Sequence, residues 1–150
     1  MNVVVDAENK ILHIKQYLTY NNTSNDTLSE IILNDWNHAF SSKKSDLANH
    51  FSDEFTRSFH LAKEKDRGYT SILAINDVNK KNVQWERQEK HIDVLKLLLN
   101  SPILPCKKET IALEYSVKIP NEKFTKYGFD KDGNLILKHW YLSPSQYENK

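Results

Sequence analysis

Residues 20–40, YNNTSNDTLSEIILNDWNHAF, form the stretch that decides how this chain is expected to fold. A polar turn over residues 21–26 separates two runs with the patterns of β-strands. Residues 11–20 alternate apolar and polar side chains, with Gln16 as the exception on the apolar side, and residues 28–34 form the second run. We therefore predict two strands joined as an antiparallel hairpin with a long loop.

Further strands are predicted on both sides of this stretch. Residues 109–120 show the cleanest alternation, with an apolar face made by Ile111, Leu113, Tyr115, Val117 and Ile119. Residues 91–100 are strand-like without a clean period, and their leucine content would also suit a helix. The remaining candidates are residues 1–5, 69–76, 82–86 and 135–142.

One amphipathic helix is predicted near residues 45–67. Its apolar stripe recurs at intervals of four, four, four and three, through Leu47, Phe51, Phe55, Phe59 and Ala62. Ser45 or Asp46 is a suitable N-cap, and Gly68 suits the position after the C-terminus. The predicted fold is therefore mainly β, an antiparallel β-sandwich with one inserted helix, in a single domain over residues 1–150.

The charge and composition of the chain give little support to a nucleic-acid or membrane partner. The 150 residues carry 21 basic and 20 acidic side chains spread along the chain, and no basic block favours a nucleic-acid or anionic-membrane partner. The longest apolar run, residues 94–99, is interrupted by Lys96 and is too short to span a membrane. We also see no signal peptide, and the single cysteine, Cys106, excludes an internal disulfide.

No catalytic, cofactor-binding or metal-ligating residue is predicted. None of the six histidines lies in an H-E-x-x-H motif, and the two on the predicted helix, His50 and His60, are ten residues apart. Residues 130–134, DKDGN, resemble the start of a calcium loop, but Leu135 replaces the required glycine and Tyr141 the required glutamate. A hairpin turn is therefore the better interpretation of this segment.

Aromatic residues are the remaining candidates for binding. Trp36, Trp85 and Trp140 are candidates for a carbohydrate-binding face, although Trp in a β-sandwich is more often a core residue. We expect Trp36 and Phe40 to pack in the interior rather than contact a ligand.

Segments along nearly the whole chain share the pattern of a known family. The early ones are residues 5–12, 18–22 and 26–28, followed by 33–40, LNDWNHAF. The later ones are residues 51–55, 111–120, 123–128 and 140–144. In these segments the chain resembles the N-terminal domain of bacterial M1-family zinc metallopeptidases, the gluzincin aminopeptidases.

The resemblance implies a saddle-like β-sandwich that packs on a thermolysin-like catalytic domain and helps to shape the peptide-substrate cleft. The family's H-E-x-x-H and G-x-M-E-N motifs belong to the next domain, so zinc is expected there and no catalytic or zinc-binding residue carries over to this chain. Gln16 and Gln146 do not match the family's substrate-contacting glutamine.

On this resemblance we expect a non-catalytic scaffold domain cut from a metallopeptidase, a hydrolase. Its partner would be the catalytic domain of the same parent chain, and peptide substrate would be met only in the full-length enzyme. The residues leave two alternatives open. One is a free-standing β-sandwich that binds or adheres through surface aromatics, and the other is a free-standing hydrolase.

Overall fold

Two antiparallel four-stranded sheets make up most of the computed structural model, which describes residues 1–146. The four residues 147–150 of the predicted domain lie outside this part. Sheet A has the order β1 (Asn2–Asp6), β2 (Ile11–Asn21), β7 (Lys108–Lys118), β4 (Tyr69–Asn76). Sheet B has the order β10 (Ser143–Pro144), β3 (Leu28–Asn34), β6 (Val94–Ile103), β5 (Gln84–Arg87). A short hairpin joins β8 (Gly128–Phe129) to β9 (Leu135–Ile136).

Both sheets contribute to one hydrophobic core, as expected for a sandwich. The alternating residues of β2 and β7 supply one side, including Leu12 and Leu113, and those of β3 and β6 supply the other, including Leu33 and Leu97. Each fully buried side chain of this size contributes about 1.5–3 kcal/mol relative to an exposed one. The prediction of a mainly β, antiparallel fold with one helix is confirmed.

The predicted hairpin between the second and third strands is wrong. β2 pairs with β1 and β7, whereas β3 pairs with β6 and β10, so residues 22–27 cross from one sheet to the other. Asn22 anchors this crossing, because its buried side-chain amide donates to the carbonyls of Asp26 (2.7 Å) and Ile103 (3.0 Å). Alternation indicated which face of β2 is buried, but it carries no information about which strand lies beside it.

The helix, α1, is much shorter than predicted and covers Asp46–Asp53. Ser45 caps it as expected, since its hydroxyl accepts a hydrogen bond from the Ala48 amide at 3.2 Å. The helix ends because Phe55 adopts a left-handed conformation, with φ at 57°. The Phe55 amide then donates to Ser52 O (3.0 Å) and the Thr56 amide to Phe51 O (2.7 Å), the hydrogen bonds of a Schellman motif.

The apolar stripe that suggested a longer helix is only partly a helical face. Phe51 on α1 and Phe59 and Ala62 in the loop after it all reach the core. Phe55, by contrast, is 90% exposed. Single turns and a short 3₁₀ helix, Glu64–Asp66, complete the region that was expected to be helical.

The prediction of a last strand over residues 135–142 is wrong for residues 137–142, because the strand ends at Ile136. Leu135–Ile136 pairs with Gly128–Phe129 around the predicted turn, where both Asp130 carboxylate oxygens accept hydrogen bonds from Asn134. The chain then crosses to sheet B and forms β10. The segment whose leucines also suited a helix is the strand β6. Within residues 1–146, no helix is long and apolar enough to cross a membrane.

Candidate functional site

A groove of about 400 Å³ runs beside α1. We call it the α1 groove, and its lining includes Trp36, Phe40, Leu47, His50, Tyr127 and His139. These residues come from three parts of the chain: the 3₁₀ helix Trp36–Ser41, α1, and the segments on either side of the β8–β9 hairpin. Its size lies within the range of small-molecule and side-chain pockets.

A cluster of aromatic rings forms the floor of the α1 groove. The Phe40 ring centroid lies 5.8 Å from that of Tyr127 and 6.1 Å from that of Phe59, in tilted and edge-to-face arrangements. Phe40 is buried, which confirms its predicted packing role. Trp36 is 52% exposed, so the prediction that it packs in the interior is wrong. Rings in these geometries add about 0.5–1.5 kcal/mol per pair beyond their burial.

A buried polar network holds the 3₁₀ helix that carries Trp36. We call it the Asp35 network. The Asp35 carboxylate lies 2.5 Å from Arg87 Nη2 of β5, and it accepts a hydrogen bond from the Thr70 hydroxyl of β4 at 2.7 Å. Asn37, the residue after Trp36, also belongs to the network. Its side-chain oxygen accepts a hydrogen bond from the Tyr127 hydroxyl at 2.8 Å, and its side-chain nitrogen donates one to Lys118 O at 3.1 Å. The network therefore ties the groove to both sheets.

Two titratable groups of this region are held in their neutral forms. Burial raises the pKa of the Tyr127 hydroxyl, so the group stays protonated and donates its hydrogen bond to Asn37. His38 Nδ1 accepts from the Thr70 amide at 3.1 Å. Burial and then the charge of Arg87 lower the His38 pKa, while Asp35 opposes this shift. A neutral imidazole is what this acceptor role requires.

Charged side chains line the rim of the α1 groove. Asp46 lies 3.2 Å from His91 Nδ1, and His50 Nε2 lies 3.3 Å from the carboxylate of Glu54. Lys138 and His139, from the segment after β9, also line the groove. Among residues 1–146, no three His, Cys, Asp or Glu side chains come together in a way that suits a metal ion. The groove therefore combines an aromatic floor with acidic, basic and imidazole side chains in its lining.

The other residues that the sequence singled out lie elsewhere. Gln16 is buried and structural: Tyr115 donates to its side-chain oxygen at 2.6 Å, and its amide donates to Leu142 O at 3.0 Å. Cys106 is exposed in the turn between β6 and β7. His60 Nε2 forms a hydrogen bond with Ala48 O of α1 at 2.9 Å. Trp85 is half exposed and lies on the edge strand β5.

Comparison with models of known protein families and with curated proteins gives no match to this chain. The geometry of the α1 groove and the residue patterns are therefore what supports a function. Sequence reasoning missed the groove, since Lys138 and His139 reach it through the course of the chain after β9. The aromatic run in residues 36–40 was the one local signal for it.

Proposed function

We propose that this chain is a non-catalytic scaffold domain of an M1-like zinc aminopeptidase. In this proposal it packs on the zinc-bearing catalytic domain of the same parent chain and helps to shape the cleft that receives peptide. The catalytic residues and the zinc belong to that second domain.

The observation that carries the proposal is the exposure of three large apolar side chains in the segments that precede and follow α1. Phe55 is 90% exposed, Leu61 is 80% exposed and Trp36 is 52% exposed. Phe55 and Leu61 follow α1 in the chain, and Trp36 lies in the lining of the α1 groove. Contiguous exposed apolar patches mark surfaces that another protein covers, and in this proposal the three side chains form one such patch. The resemblance to M1-family N-terminal domains favours the catalytic domain as the protein that covers this surface.

The sequence of the parent gene beyond codon 150 tests this proposal most directly. We expect a G-x-M-E-N motif followed by H-E-x-x-H and a distal glutamate. A parent chain that stops at Lys150, or continues without a zinc motif, would contradict the proposal.

The docking surface has its own test in the full-length enzyme. Replacing Phe55 and Leu61 with Ser is expected to lower the temperature at which the two domains unfold together, and to reduce peptide turnover. Tyr17→Ser is the matched control, because Tyr17 is exposed on the outer face of sheet A, away from α1. Equal effects of the control and the double variant would argue against docking through α1.

A second function is favoured by Trp36 at the rim of the α1 groove. A half-exposed Trp above an aromatic floor is the kind of surface on which a free-standing binding module holds a sugar ring or an apolar peptide side chain. This alternative predicts that the isolated chain binds a ligand on a glycan or peptide array and that Trp36→Ala abolishes the signal. If the isolated chain gives no signal above background on either array, the binding-module alternative is contradicted.

A further inference from the structure

The edges of the two sheets are protected unequally. An exposed edge strand offers unpaired backbone groups to other chains, and proteins usually block such edges with short strands, charges, proline or bulges. In residues 1–146, β4 carries a bulge between Ile72 and Ala74, β10 has two residues including Pro144, and β5 has four residues that end in Glu86 and Arg87. Three of the four edges thus carry a blocking device.

The fourth edge, β1, has no bulge and no proline, and its only charged residue, Asp6, stands at its end, after three consecutive valines. Its sequence is NVVVD, and all five residues pair with β2 in continuous register from Asn2 to Asp6. Val3 and Val5 lie opposite Ile14 and Leu12, two buried residues of β2, so they point to the core side of sheet A.

The core side of β1 is nevertheless left partly open. Val5 is half exposed although it points to the core side, and Val4 on the outer side is 61% exposed. In the interior of a sheet, the next strand would cover both residues. One further strand alongside β1 would therefore both cover the exposed valines and pair with the free backbone groups of this edge.

A second copy of β1 fits this edge when it runs antiparallel about a two-fold axis at Val4. Val3 of each copy then lies opposite Val5 of the other, and Asn2 lies opposite Asp6, so no like charges face each other and an amide faces each carboxylate. We propose that two copies of this chain associate through β1 in this register, which joins their A sheets into one sheet of eight strands. A five-residue strand pair buries less surface than a standard interface, so we expect a dissociation constant on the order of 0.1 mM.

Sedimentation equilibrium of the chain between about 5 µM and 1 mM tests the association. Val4→Lys brings two ammonium groups together at the two-fold axis and is expected to weaken the dimer at least tenfold. The control is Leu73→Lys, because Leu73 is equally exposed, at 63%, but lies in the bulge of the opposite edge. A chain that stays monomeric throughout, or a control that weakens association as much as Val4→Lys, would overturn the proposal.

Substitutions at Asn2 test the register and do not alter the valines. Both substitutions are made together with Lys15→Gln, because Lys15 lies opposite Asn2 in the same chain. Asn2→Lys then places an ammonium opposite Asp6 of the other copy twice per dimer and is expected to tighten association about fivefold at low salt. Asn2→Asp places two carboxylates opposite each other and should weaken association by a similar factor. The two effects should shrink at high salt because the pairs are exposed. Equal dissociation constants for the two variants at low salt would rule out this register.

Discussion

The Asp35–Arg87 pair is the most deeply buried ion pair of the described residues, with side-chain exposures of 3% and 14%. Its partners come from the end of β3 and from β5, and Thr70 adds a hydrogen bond from β4. Removing one member of such a pair leaves the other charge buried without compensation, which usually costs more than the pair itself contributes.

Arg87→Leu is therefore expected to lower the free energy of unfolding by about 3 kcal/mol. The double variant Arg87→Leu/Asp35→Asn should recover part of this loss, since it removes the stranded charge. Urea unfolding followed by circular dichroism measures both effects. Lys15→Ala breaks an exposed pair with Glu114 and should change stability by less than about 1 kcal/mol. A loss for Arg87→Leu as small as that for Lys15→Ala would contradict the argument.

Stability should also depend on pH through His38. Its pKa in the folded chain is lowered, chiefly by burial and then by Arg87. The unfolded chain, with an ordinary His pKa of about 6.5, takes up a proton first as the pH falls. The contribution of neutral His38 to the free energy of unfolding is therefore fully present above about pH 6.5. It is lost as the pH falls towards the lowered pKa of the folded chain.

The measurement is the free energy of unfolding at pH 7.5 and at pH 5 for the chain and for His38→Asn. The asparagine oxygen retains an acceptor for the Thr70 amide but does not titrate. We expect the chain to lose more stability between these two pH values than the variant does. Identical losses would show that His38 does not contribute.

At the scale of elements, α1 ends on a residue that is poorly suited to its conformation. Phe55 occupies the left-handed position of the Schellman motif, which in most helices is taken by glycine. A side chain with a Cβ costs about 1–2 kcal/mol there. The ring is almost fully exposed and recovers little of this cost by packing.

Phe55→Gly is expected to raise the free energy of unfolding by about 0.5–1 kcal/mol. Phe55→Ala removes the same ring but retains the Cβ, so it should be less stable than Phe55→Gly by a similar amount. Thermal and urea unfolding of the two variants separate the backbone effect from the loss of the ring. If alanine and glycine give equal stabilities, the left-handed position is not strained. If the proposed docking surface is correct, both variants should weaken contact with the catalytic domain.

The same helix shows where prediction from sequence succeeds and where it stops. Local rules narrowed the cap to Ser45 or Asp46 and identified β2 and β7 as strands from their alternation, because these features depend on near neighbours. The apolar stripe through Phe59 and Ala62 imitated a helical period, while those side chains reach the core from a loop. The groove was beyond such rules, since its lining is assembled from distant segments.

At the scale of the whole molecule, one polar cluster connects the two sheets through the core. Gln16 of β2 and Tyr115 of β7 belong to sheet A, and they bond to the backbone of Leu142, the residue before β10 of sheet B. The Tyr115 hydroxyl donates to Gln16 at 2.6 Å and accepts from the Leu142 amide at 3.2 Å. Burial raises the pKa of this hydroxyl, so it remains a donor.

Tyr115→Phe should lower the free energy of unfolding by about 2 kcal/mol, because it leaves a buried amide and a buried side-chain oxygen without a partner. It should also speed hydrogen exchange of the Leu142 amide more than that of amides in the centre of β7. Tyr17→Phe, an exposed tyrosine on the neighbouring strand β2, is the control and should leave both quantities unchanged. Uniform acceleration across sheet A would instead indicate general destabilisation.

The pairing of β2 with β7 also governs when the chain can fold during synthesis. Their eleven residue pairs run from Ile11↔Lys118 to Asn21↔Lys108, which are separations of 107 and 87 residues (118 − 11 and 108 − 21). At ribosomal speeds of about 5–20 residues per second, β2 waits roughly 5–20 s for its main partner. During this interval β2 can pair only with β1, through residues 11–15, so the edge that will meet β7 stays open. Contacts at such separations also slow folding. Nascent chains shorter than about 118 residues should therefore depend on chaperones to remain in solution.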